Sequence, residues 1–212
     1  NMEPIRPRDI KSILSKSNKK SAPGPCGITY NTLLKLESTH HILATFFNKV
    51  MTSGAHPPSW GESVVKLLHK KGDTADPSNF RMIALTGCIG KTYHLILAEQ
   101  LTTFLTSNKF IDPTLQKAFL PRINGCIEHS LVMEEIIKDC KSKRKTCHIT
   151  FFDLEDAFGS VPHALIDHTL ERNFIPPNIR QYFHKLFTHA TAVVDTKSWR
   201  SSPFTFNRGV FQ

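Results

Sequence analysis

One apolar run that stops abruptly at a carboxylate constrains this chain more than any other feature. His148-Ile149-Thr150-Phe151-Phe152 is rich in β-branched and aromatic side chains and leads directly into Asp153. This pattern predicts a buried strand whose C-terminal end presents an acidic side chain. A carboxylate in that place can bind a divalent metal ion while the following backbone turn receives phosphate groups.

The rest of the chain predicts helices interspersed with a few strands. Aliphatic and β-branched runs at 63–68 and 80–85 predict two strands, and the polar, turn-rich stretch 70–79 between them predicts a long hairpin tip. Apolar residues at helical spacing predict further helices, and two short strand-like runs close the chain. The helices are expected at 9–17, at two places within 30–51, and at 89–105, 127–140, 163–172 and 177–190, and the closing runs lie at 191–196 and 203–207.

Charge and composition narrow the class of partner. Lys and Arg number 27 against 18 Asp and Glu, which gives a net charge of +9 and favours a polyanionic partner, nucleic acid before a membrane surface. No apolar stretch approaches the ~18 residues of a membrane-spanning helix, and no secretory signal is visible, so no membrane partner is expected. The five Cys are irregularly spaced, which is typical of a reducing compartment and not of a disulfide framework.

The residues around Asp153 carry a family resemblance. Phe-x-Asp-x-x-x-Ala-Phe at 151–158, followed by Ser-Val-Pro at 160–162, resembles motif A of reverse transcriptases. Four other segments resemble, in the same order, elements of the non-LTR, LINE-type retrotransposon enzymes. These are the Ala-Pro-Gly-Pro loop at 22–28, the fingers hairpin at 70–85, the Gln-x-x-Phe element at 116–119, and the opening of motif B at 208–212.

The resemblance implies an α+β fold, that of the fingers and partial palm of a right-hand polymerase with an incomplete split βαβ unit. Residues 1–61 would form the N-terminal helical part of the fingers. Residues 62–147 would form the fingers proper, with a β-hairpin and helices. Residues 148–212 would form the first part of the palm, from motif A to the start of motif B.

The same resemblance assigns roles to single residues. Asp153 would be the catalytic ligand of two Mg²⁺ ions. Lys70 and Arg81 would grip the triphosphate of the incoming nucleotide, because a guanidinium matches phosphate geometry and an ammonium acts as a point charge. Lys71 is adjacent and stays open as an alternative to Lys70. An isolated Asp such as Asp153 is more often a helix cap or an ion-pair member, and two isolated cations in a hairpin are more often solvated surface charges.

The turn after Asp153 and the last residue would complete a nucleotide site. Asp156, Ala157 and Phe158 would offer backbone N–H groups to the triphosphate, and Gln212 would lie near the sugar. Phe158 would stack under the sugar and exclude a 2′-hydroxyl, although a Phe is by default a core residue. Viral RNA-dependent RNA polymerases carry an Asp at this position, so Phe158 predicts that rNTPs are disfavoured.

The implied activity is RNA-directed DNA polymerisation, with an RNA template, a DNA primer and dNTPs as partners, in the nucleus and, as a ribonucleoprotein, in the cytoplasm. The Tyr/Phe-x-Asp-Asp motif C is not found, so we expect these 212 residues alone to be inactive. A non-catalytic RNA-binding remnant or a domesticated fragment is the alternative. A zinc-dependent module is a weaker one, and its candidate ligands are Cys126, His129, Cys140, Cys147 and His148.

Overall fold

The computed structural model describes residues 2–121, 123–196 and 198–210. Within these ranges the chain forms seven α-helices, four β-strands and three short 3₁₀ turns. The helices are α1 (Pro7–Lys16), α2 (Tyr30–Lys35), α3 (His40–Ser53), α4 (Cys88–Ser107), α5 (Gly125–Ser142), α6 (His163–Arg172) and α7 (Pro177–Thr188), and the strands are β1 (Glu62–His69), β2 (Phe80–Thr86), β3 (Thr191–Val194) and β4 (Phe204–Thr205). The α+β class and the positions of all seven helices agree with the sequence predictions.

The four strands form one mixed sheet in the order β2-β1-β3-β4. β1 and β2 pair antiparallel from Ser63 opposite Thr86 to His69 opposite Phe80, which confirms the predicted hairpin. β3 pairs antiparallel with β4 and parallel with β1, where Glu62 lies opposite Thr191. This parallel pairing joins two hairpins that lie far apart in the sequence.

The chain divides into two compact units, residues 1–100 with 156–212, and residues 101–155. The first unit contains a core of aromatic side chains contributed by α3, α4, α7 and the turn before β1. Phe47, Tyr93 and Tyr182 are fully buried, and the Trp60 ring lies 5.4 Å from that of Tyr93. Burying rings of this size is the largest hydrophobic contribution that side chains make to a core. The division into 1–61, 62–147 and 148–212 stays a prediction.

The Ala-Pro-Gly-Pro loop is fixed against the end of β2. A Cβ added at Gly24 would lie 2.4 Å from the carbonyl carbon of Thr86 and 2.6 Å from the backbone nitrogen of Gly87. Because both neighbours are backbone atoms, no side chain can move aside to admit it. The glycine at this place in the loop is therefore required for close packing.

The second unit has little buried apolar surface. No described residue of α5 is buried, and Leu115 and Phe119 are 78% and 86% exposed. Exposed ion pairs such as that of Lys143 with Asp139 at 2.6 Å lie on the surface of α5.

The predicted strand at 148–153 is not formed. Residues 145–154 adopt neither helix nor strand, and Phe151 and Phe152, predicted to be buried, are 76% and 96% exposed. A strand needs a neighbouring strand for its backbone N–H and C=O groups, and the four-stranded sheet is built from other segments. β-propensity alone does not produce a strand without such a partner.

No helix in the described ranges has the length and apolar character needed to cross a membrane.

Candidate nucleotide and metal site

The β1–β2 hairpin brings Lys70 and Arg81 onto one face. Leu68 lies directly opposite Arg81, and the backbone N–H of Lys70 donates to the Asn79 carbonyl at 2.8 Å, which extends the ladder by one residue. Side chains opposite each other share a face, and side chains alternate along a strand. Lys70 and Arg81 are therefore diagonal neighbours on the same face. Lys71 lies in the bend that follows, outside the ladder.

The basic charge of this face is concentrated near the hairpin tip. Lys66 shares the face by alternation, but its ammonium pairs with the Asp195 carboxylate at 3.2 Å. Lys70 and Arg81 are exposed and make no salt bridge within the described ranges. Two exposed cations without acidic partners can attract an anion such as a triphosphate.

The residues after Asp153 form a tight turn. Asp156 adopts a left-handed backbone conformation with φ 46°, and its carbonyl accepts a hydrogen bond from the Ser160 N–H at 2.9 Å. A Cβ at Gly159 would lie 2.2 Å from Asp156 Oδ2, so the Asp156 carboxylate folds over the glycine. Phe158 is 42% exposed, so its ring is not a core side chain.

The start of the motif B segment lies against this turn. Val210 N–H donates to the Phe158 carbonyl at 2.9 Å, and Gly209 N–H donates to the Val161 carbonyl at 2.8 Å. His163 Nε2 lies 2.8 Å from the Gly209 carbonyl oxygen. Gln212, the predicted sugar contact, lies outside the described residues. Sequence reasoning assigned no role to His163, since its partner is a backbone carbonyl 46 residues away.

Asp153 belongs to the second unit, where its side chain is exposed. The described residues give it no hydrogen bond and no ion pair, so its carboxylate oxygens are available to a ligand. Mg²⁺ is commonly bound by one or two carboxylates together with substrate phosphates and water. Asp153 therefore fits the role of one such carboxylate.

No complete metal centre is assembled within the part of the chain that the structure describes. No three His, Cys, Asp or Glu side chains come together there in a way that could hold a metal ion. This applies to the carboxylates and equally to the Cys and His residues of the zinc alternative. Cys126 and Cys147 are exposed, and all five cysteines are free thiols.

Comparison with known proteins defines the class to which this fold and site belong. The family model described as reverse transcriptase (RNA-dependent DNA polymerase) matches residues 68–212, more than half of the chain. The match covers the tip of the hairpin and β2, the Asp153 segment and the start of motif B. The chain belongs to the reverse transcriptase family.

Similar proteins come from R2 elements of insects. The Retrovirus-related Pol polyprotein from type-1 retrotransposable element R2 of Nasonia vitripennis is 28% identical over 92% of this chain and 18% of its own length. The corresponding R2 protein of Bradysia coprophila is 30% identical over 88% of this chain and 20% of its own. That of the type-2 element R2DM of Drosophila melanogaster is 26% identical over 98% and 19%. The chain thus spans about a fifth of the length of these relatives.

Proposed function

We propose that this chain is part of an RNA-directed DNA polymerase of a non-LTR retrotransposon, which transfers dNMP from a dNTP to a primer 3′-hydroxyl on an RNA template. The observation that carries the proposal is the reverse transcriptase match over residues 68–212. This range includes Asp153, to which the resemblance to motif A assigns the metal-binding role. The α+β architecture with its mixed sheet is compatible with fingers and part of a palm, and the split βαβ arrangement of the palm belongs to this proposal.

In this proposal Asp153 holds the catalytic Mg²⁺. Divalent ions bound there would lower the pKa of the primer 3′-hydroxyl and neutralise charge on the leaving pyrophosphate. An exposed carboxylate that pairs with none of the described residues suits a metal ion whose remaining ligands come from the substrate's phosphates.

The hairpin and the turn after Asp153 then bind the nucleotide. Lys70 and Arg81, on one face of the hairpin, neutralise the triphosphate. The backbone N–H groups of Asp156, Ala157 and Phe158 donate to phosphate oxygens, and the Phe158 ring fills the space that a 2′-hydroxyl would occupy. Gln212 contributes near the sugar. RNA template, DNA primer and dNTP are the proposed partners, with action in the nucleus.

The test is primer extension on an RNA template by the full-length parent protein. We expect Asp153→Asn to lower dNMP incorporation by about 10³-fold, because an amide removes the charge that holds the metal at nearly unchanged volume. Glu155→Gln, an exposed carboxylate two residues away, is the matched control and should retain activity.

Two outcomes would contradict the proposal. Full incorporation by the Asp153→Asn protein would remove Asp153 from the chemistry. A parent protein that retains RNA on a filter but never extends a primer would support the RNA-binding remnant instead.

A further inference from the structure

We infer that His163 is a positioning residue that joins the turn carrying Phe158 to the start of motif B and thereby fixes the position of the Phe158 ring. The inference rests on the proposed function for the role of that ring, which is to discriminate between nucleotide sugars. Its structural part, a clamp between two segments far apart in sequence, stands on the hydrogen bonds of the first unit alone.

The clamp has three hydrogen bonds within a short stretch. Two are between backbones, from Gly209 N–H to the Val161 carbonyl and from Val210 N–H to the Phe158 carbonyl. The third joins the His163 ring to the Gly209 carbonyl at 2.8 Å. Since a carbonyl oxygen only accepts, Nε2 must carry the hydrogen. Of these three hydrogen bonds, only the third involves a side chain. A substitution at His163 can therefore remove it while leaving the backbone groups of the other two in place.

The His163 imidazole is part of a stack of aromatic rings. His163 begins α6, directly after Pro162, and its ring stacks on Phe187 of α7 with centroids 5.0 Å apart and planes 21° from parallel. Phe187 stacks in turn on Phe183 at 6.1 Å. Rotamers locked by packing present a hydrogen-bond donor with little loss of freedom. The stack thus fixes the direction in which Nε2–H points.

The backbone conformation of Gly209 and its lack of a side chain permit this contact. It has φ +85°, which L side chains rarely adopt, and a Cβ there would lie 2.6 Å from the Gly159 carbonyl oxygen. The two glycines let the backbones approach closely, so the carbonyl of Gly209 comes within reach of the histidine. Phe158 lies on the bonded turn, and loosening the turn would let its ring shift.

The experiment uses the full-length parent protein and tests the hydrogen bond donated by His163 Nε2–H separately from the stacking of its ring on Phe187. His163→Phe keeps an aromatic ring against Phe187 but loses the N–H, whereas His163→Gln keeps an N–H donor at similar reach. His168→Gln, an exposed histidine on the same helix, is the matched control. The readouts are the ratio of dNTP to rNTP incorporation efficiency, KM and kcat for the correct dNTP, and the thermal midpoint.

We expect His163→Phe to raise the KM for dNTP and to lower the sugar discrimination ratio by about tenfold, the size of one lost hydrogen bond. The thermal midpoint should change little, and His163→Gln should remain within about twofold of the wild type. Unchanged discrimination in His163→Phe would overturn the inference. Equal defects in His163→Phe and His163→Gln at normal thermal midpoints would do so too.

Two further measurements keep this inference distinct from the proposed function. Phe158→Ala is the reference: if it admits rNTPs while His163→Phe does not, only the role of His163 is lost, and if it leaves discrimination unchanged the assignment of Phe158 itself fails. Amide exchange in the peptide that contains Gly209 and Val210 needs no activity. It should accelerate in His163→Phe and not in His163→Gln, and equal protection in both variants would refute the clamp.

Discussion

His94 lies among buried aromatic rings, where its charged form is strongly disfavoured. Its Nε2 is 2.5 Å from Tyr182 Oη, and the rings of Trp60, Tyr93 and Tyr182 surround it. Burial, together with the smaller effects of the charges of His56 and Lys91, lowers the pKa of His94 to about 4. The folded protein therefore keeps this imidazole neutral at pH values where a solvated histidine is protonated.

This pKa predicts a loss of stability in mild acid. Between the unfolded pKa near 6.5 and the folded pKa near 4, the unfolded chain binds the proton and the folded chain does not. The contribution of His94 to the free energy of unfolding should thus be fully present above about pH 6.5 and fall by about 3 kcal/mol as the pH drops towards 4. Urea denaturation of the 212-residue chain between pH 4 and 7 measures the slope.

The variant His94→Gln should show a flatter profile, because the amide can still bond the Tyr182 hydroxyl and does not titrate. His41→Gln, a change at an exposed histidine of α3, is the matched control. A wild-type profile that is flat in this range would show that His94 is not kept neutral by folding.

At the scale of secondary-structure elements, the register of the β1–β2 hairpin distinguishes Lys70 from Lys71 as a candidate phosphate ligand. The sequence left Lys70 and Lys71 as alternatives, because the two residues are adjacent. The hydrogen bond from Lys70 N–H to the Asn79 carbonyl keeps Lys70 in the ladder, on the face of Arg81, while Lys71 lies outside the ladder in the bend. Strand alternation therefore favours Lys70 as the phosphate ligand.

We predict that Lys70→Ala raises the KM for dNTP by about tenfold in the full-length parent, because one cation of a phosphate site contributes on the order of 1–3 kcal/mol through charged hydrogen bonds. Lys71→Ala, the same change one residue along, should stay within about threefold of the wild type. Steady-state primer extension at varied dNTP measures both, and a larger effect from Lys71 would reverse the assignment.

The helices and strands also show which parts of the fold can be predicted from the sequence and which cannot. The helices and the hairpin follow from local periodicity and turn residues, so their positions were predictable. The parallel pairing of β1 with β3 depends on contacts across more than a hundred residues, and no local pattern encodes it. The segment 148–153 has strand propensity, but its exposed aromatic residues lack the neighbouring strand that pairing requires.

The candidate site also contains some residues that the sequence indicated and one, His163, that it did not. The motif resemblance selected Asp153, Phe158 and the hairpin cations Lys70 and Arg81 as candidates, because each lies at a fixed position within a motif. His163 escaped notice because its role depends on a backbone carbonyl that the fold brings to it. The glycine at position 209 does not by itself indicate which side chain its carbonyl meets, so such a positioning residue becomes visible only in the structure.

At the scale of the whole molecule, stability is unevenly distributed between the two units. In the first unit α7 buries Ile179, Tyr182 and Leu186, whereas no described residue of α5 in the second unit is buried. The ion pairs on α5 are exposed, and exposed pairs contribute about 0–1 kcal/mol each. Helices hold chiefly through packing of an apolar face, so α5 adds little to the free energy of unfolding.

Two leucines, each within a helix, test this distribution. Leu186 of α7 is 3% exposed and Leu131 of α5 is 56% exposed. Truncation of a buried leucine removes its transfer free energy and leaves a cavity, so Leu186→Ala should lower the free energy of unfolding by about 2–5 kcal/mol. Leu131→Ala should change it by less than about 0.5 kcal/mol, because its side chain is already in contact with water and alanine is the better helix former. Urea denaturation of the 212-residue chain at pH 7 compares the two directly, and a cost at Leu131 similar to that at Leu186 would mean that α5 is packed against apolar surface in solution.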